Sequence, residues 1–253
     1  VPRTEPRVLT PVATLSALVV CAVLALGAAA SELSMAGALL FAVLVLALGW
    51  PHLLDLPSPR GVQLILIGTA VVLAAISELG DDERGLRWLP TVLGGGLIAA
   101  FLHQLVRQDG RARLVATLAG TCLGLGVLGS GAFFLSALDE NMGEELVLAC
   151  LAASAIGMIV DWVLHRFGAT AEWAVPISMV LSGGAAFVLA QSLDVTWSAM
   201  VLVAAGTPLV SHAVRRLLSF AVGARGAAGQ LALGAASVLA SGVVAYAVAW
   251  FYR

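Results

Sequence analysis

Asp161 and His165 lie four residues apart near the end of a long apolar stretch, and this pairing is suited to proton chemistry. On a helix, positions i and i+4 share a face. An acid inside a membrane span is costly and often marks a proton or ion path, and histidine changes charge near neutral pH. The same spacing also serves a plain structural end, in which Asp161 pairs with His165 or a nearby arginine and fixes the rotation of its helix. The other histidines, His52, His103 and His212, recur near the ends of other apolar stretches. A ring of four could hold a metal or sense pH, but HxH and HExxH spacings are missing. Cations at helix C-termini are favoured by the macrodipole alone. No metal site and no cofactor is expected.

A second group is basic. Arg107, Arg111 and Arg113 surround the turn Asp109-Gly110. Arginines beside a membrane suit anionic lipid headgroups or a phosphate-bearing substrate, and they also set topology. The Asp109-Gly110-Arg111 run departs in spacing from the CDP-alcohol phosphotransferase signature and lacks its later aspartates, which excludes that family. A third group is glycine. Gly94-Gly95-Gly96 and Gly183-Gly184 could expose backbone groups to a substrate in an unwound midplane, so with Asp161 and His165 they outline a candidate substrate path. Gly120 and Gly124 form a GxxxG, followed by Gly126 and Ser130, and Ser237, Ser241 and Ala245 repeat the small-residue spacing. Such faces allow close helix contact, within the chain, with a membrane-protein partner or in a homo-oligomer.

Enzymatic motifs are scarce. The sequence holds no Walker A, no Rossmann fingerprint and no Ser/His/Asp set of recognisable spacing. Cys21, Cys122 and Cys150 each stand alone in apolar runs, so neither a disulfide framework nor a zinc site is implied. The missing basic stripe argues against nucleic-acid binding.

Lipid is the medium in which these residues must be positioned. Of the 253 residues 60% are hydrophobic and 11% charged, with a mean hydropathy of +1.02. Soluble domains run nearer to half apolar and about a quarter charged. Runs of roughly twenty apolar residues can cross a bilayer. Nine are predicted, at about 9–30, 34–54, 61–79, 87–106, 113–136, 145–166, 172–192, 195–213 and 227–251. The fold class is therefore all-α, a polytopic helix bundle forming one transmembrane domain over 1–253. Residues 214–224 are expected to form a brief interfacial helix. The first span also looks like a secretory signal, with Arg3 and Arg7 before it and Ala28-Ala29-Ala30 after it.

Charge asymmetry orients the spans. All 13 basic residues are arginine. Arg3, Arg7, Arg60, Arg107, Arg111, Arg113, Arg166, Arg215, Arg216 and Arg225 fall on one side, against Arg84, Arg87 and Arg253 on the other. The positive-inside rule gives an N-in, C-out topology and a cytoplasmic-membrane location. Trp50, Trp88, Trp162, Trp173, Trp197 and Trp250 lie near span ends, as an aromatic belt at the headgroups requires. Pro208 is expected to kink the eighth span.

The stretch Phe101-Leu102-His103-Gln104-Leu105, continued by Arg107, Asp109-Gly110-Arg111 and Arg113-Leu114-Val115, resembles multi-span membrane proteins of GC-rich actinobacteria. The resemblance implies a cytoplasmic-membrane location and no particular activity. Three functions fit the sequence. A small permease for an apolar or amphipathic substrate comes first, then a non-catalytic assembly or scaffold subunit, then a lipid-modifying enzyme using the arginine and histidine rim.

Overall fold

The computed structural model describes residues 10–79, 85–108, 112–167, 171–193 and 195–253. Ten α-helices occupy them: α1 Pro11–Ala30, α2 Glu32–Leu53, α3 Pro59–Leu79, α4 Gly85–Val106, α5 Leu114–Leu138, α6 Gly143–Arg166, α7 Ala174–Leu193, α8 Trp197–Ser219, α9 Ala227–Leu239 and α10 Gly242–Phe251. No strand occurs among the described residues. Nine segments are long and apolar enough to cross a membrane, with α9 and α10 together making the ninth. The fold is an all-α bundle of an integral membrane protein. Helices are the form such a chain must take, because lipid offers no partner for an unpaired backbone group.

Local sequence sets the boundaries. Pro11 and Pro59 stand in the first turns of α1 and α3, where a missing N–H costs nothing. Ser31 alone separates α1 from α2, and its hydroxyl accepts the Ser34 N–H at 3.2 Å as an N-cap. The expected interfacial helix over 214–224 does not form as a separate element. Its first half continues α8 to Ser219, and a 3₁₀ turn, Val222–Arg225, leads into α9.

Alternate connections meet at the same end of the bundle, as up-and-down threading demands. At the arginine-rich end, Arg113 Nη1 holds Asp55 Oδ2 at 2.8 Å, His103 Nε2 lies 2.9 Å from Ser58 Oγ, and Gly223 packs against the His52 carbonyl. At the other end, Arg253 pairs with Glu140 at 3.4 Å and the Tyr252 hydroxyl donates to Ser198 at 3.0 Å.

Span nine is the axis. α9 lies against α1, α2 and α8, while α10 lies against α5, α6 and α8. Small residues let these backbones touch. A Cβ on Gly234 would stand 2.9 Å from the Ala17 nitrogen, and one on Gly49 would run into the Ala228 carbonyl. α1 belongs to this core, burying Ala13, Ala17, Val20 and Leu24. The belt expectation fails for Trp50. It is fully buried, with Nε1 donating to the Gly120 carbonyl at 2.8 Å, because Gly124 leaves α5 without a side chain to hold the indole off. The other five tryptophans are exposed, as a belt requires.

Pro208 sits inside a continuous α8. Proline donates no hydrogen bond to the carbonyl four residues back, here Ala204. Ser182 on α7 replaces the missing donor, its hydroxyl reaching Ala204 O at 2.7 Å.

Candidate functional site at the α6–α8 seam

Asp161 is buried in the last two turns of α6. A carboxylate there faces the negative end of the helix dipole as well as an apolar surround, so it needs cations. They come from α8. His212 Nδ1 lies 3.0 and 3.1 Å from the two carboxylate oxygens. Arg215 Nε donates to Oδ2 at 2.8 Å, and Arg215 Nη2 closes on the same oxygen. His212 and Arg215 are three residues apart, so one face of α8 presents both. The Arg215 side chain is 3% exposed and that of Asp161 4%, which makes this a buried charge cluster, while His212 at 16% keeps an edge open.

Asp161 pairs with an arginine, one of the two partners its structural reading allowed, and with His212 where His165 was the histidine in view. His165 is exposed at the end of α6, and Asp161 is held by His212 and Arg215 across the helix interface. Arg215, read from sequence as a topology-setting cation at the membrane edge, is instead drawn into the bundle. The signal was available in Ser211, His212 and Arg215, which follow Thr207 on one polar face of an apolar span.

Gly94, Gly95 and Gly96 lie inside an unbroken α4, and Gly183 and Gly184 inside an unbroken α7. No unwinding occurs at either place. α4 packs on α3 and α5, and α7 packs on α6 and α8. Gly95 and Gly184 are exposed with open space where a Cβ would stand, and Gly96 packs on Thr69 and Leu125.

The interrupted helix is span nine instead. The α-helical ladder tightens at Ala240 and Ser241, which keep right-handed helical dihedrals while the Ser241 N–H bonds Val238 O and the Val244 N–H bonds Ser241 O, and neighbouring side chains meet the groups this frees. The Ser130 hydroxyl donates to Ala240 O at 2.8 Å and accepts the Val243 N–H at 3.3 Å. Cys150 Sγ donates to Ser241 O at 3.4 Å, and the Ser241 hydroxyl lies 3.1 Å from that of Ser154. Gly242 permits the approach, since a Cβ there would strike the Ser130 carbonyl.

Among the basic candidates, Arg113 is committed to Asp55 through both carboxylate and backbone oxygens, and Arg107 Nη1 to Gln104 Oε1 at 2.8 Å. Arg113 and Asp55 both adopt left-handed backbone, φ 54° and 52°, so the contact holds two strained residues. Arg111, Asp109 and Gly110 lie outside the described residues, as do Arg3, Arg7, Asp81, Asp82, Glu83, Arg84 and Asp194. Among the described residues no three His, Cys, Asp or Glu side chains converge as metal ligands.

A groove of about 340 Å³ opens between α1, α2 and α9, lined by Val12, Leu15, Val19, Phe41 and Leu231 among others. Its one polar lining side chain, Ser16, donates to the Leu231 carbonyl at 2.8 Å.

The fold and these features define a multi-pass integral membrane protein with a buried ionic cluster and one interrupted span. A scan of protein-family models and searches of curated proteins and of solved structures give no match to this chain.

Proposed function

We propose that the protein is a small permease of the cytoplasmic membrane, moving an apolar or amphipathic solute. The observation that carries this reading is the break of span nine at Ala240–Ser241, on the axis of the bundle and linked by Ser154 and Cys150 to the helix that bears Asp161. An irregular turn inside a span leaves backbone groups open to other partners, and transporters use such places where solute and coupling ion bind. The apolar groove beside α9 suits a solute with little polarity.

The test is release of trapped probes from proteoliposomes, with ethidium as an amphipathic cation and 8-anilinonaphthalene-1-sulfonate as an amphipathic anion. Release of one probe well above the protein-free rate supports the permease. Release of neither, together with a stoichiometric second protein in native mass spectrometry from nanodiscs, replaces it with the assembly-subunit reading.

A further inference from the structure

The faces that α6 and α8 turn to each other carry polar groups where apolar ones are the norm. On α8, Thr207, Ser211 and Arg215 follow at four-residue intervals, and on α6 Cys150, Ser154 and Asp161 keep to one side in the same way. Two contacts fix the register of these helices. Thr207 Oγ1 donates to Cys150 Sγ at 3.2 Å, and further along Arg215 grips Asp161. Ser211 falls between them, at the level of Ser154 and Gly157.

Ser154, Cys150, Thr207 and Ser241 all have protein partners. Ser211 does not. Its hydroxyl is fully buried and makes no hydrogen bond with any described group. Buried hydroxyls left this way are rare, and in polar surroundings with room the usual partner is an internal water. Gly157 brings no side chain into the seam there, and a Cβ placed on it would stand 3.8 Å from Arg215 Nη2 and from Pro208.

We propose that the α6–α8 seam binds internal water at Ser211, and that this water joins the Asp161–His212–Arg215 cluster to the Ser154–Ser241 hydroxyl pair beside the irregular turn of span nine. The water assignment stands apart from the permease reading. α7 brings the hydroxyls of Ser178 and Ser182 to the bundle interior, and Tyr246 on α10 stacks on Phe133 at 5.2 Å.

X-ray hydroxyl-radical footprinting of the whole chain in lipid nanodiscs tests the water, because radicals formed from a bound water mark the side chains around it. Cys150 and Met35 are both completely buried sulfur side chains, and only Cys150 belongs to the seam. Labelling of Cys150 at least tenfold faster than Met35 is expected. Ser211→Val or, should that variant fold poorly, Ser211→Ala should bring it down to the Met35 rate. Equal slow labelling of Cys150 and Met35 in the native protein overturns the water site. The measurement requires no solute to move, so failure here and failure of the permease reading are separable.

Discussion

Arg215 closes two hydrogen bonds on one oxygen of Asp161, from a helix on which His212 has already engaged both oxygens three residues earlier. A guanidinium and an imidazole on one carboxylate make a cluster whose parts cannot be removed singly. Asp161→Leu leaves Arg215 buried without a counter-charge, and Arg215→Met leaves Asp161 short of one. Each should cost about 3–5 kcal/mol, the range for breaking a buried pair by one partner. The double variant should recover most of that loss, because replacing both charges by apolar groups avoids their desolvation. Thermal unfolding in detergent, followed by tryptophan fluorescence, gives the four melting temperatures of the cycle. Additive losses would show that Asp161 and Arg215 do not depend on one another.

Glycine substitutions should sort by space rather than by position along a span. Gly95→Leu and Gly184→Leu face open surroundings and should insert and melt within a degree or two of the native protein. Gly49→Ala and Gly242→Ala place a methyl against the Ala228 and Ser130 carbonyls, and should lose about 1–3 kcal/mol by overpacking. Yield of monodisperse protein and melting temperature both report this. The opposite ranking would mean that the glycines of α4 and α7, not those around span nine, hold the bundle together.

Much of the fold was legible because bilayer thickness fixes span length. Nine apolar runs, the sides of their loops and the isolation of Asp161 follow from hydropathy and charge alone. The partners of Asp161 do not. Helical spacing shows that His165 shares its face, but which neighbouring helix arrives there depends on packing, and the closer cations came from α8. The break in span nine was equally hidden, since Ala240, Ser241 and Gly242 read as one more small-residue face. Three glycines in a row suggested unwinding in α4, yet in lipid an intact helix is the cheapest way to satisfy their backbone. Trp50 shows the same limit. Its place near a span end matches a belt residue, and its burial is decided on a distant helix, by the space at Gly124 and the carbonyl of Gly120.

Trp50 can be separated from the belt by light. In variants keeping a single tryptophan, Trp50 should emit at short wavelength and resist quenching by brominated lipids. Trp88, Trp173, Trp197 and Trp250, all exposed at 44–62%, should be quenched. Trp50→Phe removes the donor to Gly120 O and should cost about 1–2 kcal/mol. Strong quenching of Trp50 would place it in lipid and contradict its packing against α5.

Ser182 and Pro208 form a compensating pair, and that can be measured directly. Ser182→Ala deprives the Ala204 carbonyl of the donor that Pro208 cannot supply, which should destabilise the protein by about 1–3 kcal/mol, the cost of a buried acceptor left unmade. Pro208→Ala restores a backbone N–H to α8, so the Ser182 hydroxyl then competes with a helical bond. In the Pro208→Ala background, Ser182→Ala should therefore cost under about half as much, a coupling of the size that contacting residues show in double-mutant cycles. The single Ser182 proton is shared between Ala204 O and Ser178 O, at 2.7 and 2.6 Å, so the bond within α7 retains a remnant of its contribution in both backgrounds. If Ser182→Ala costs the same with proline or alanine at position 208, the hydroxyl is tied to its own helix, and Ala204 finds its partner elsewhere.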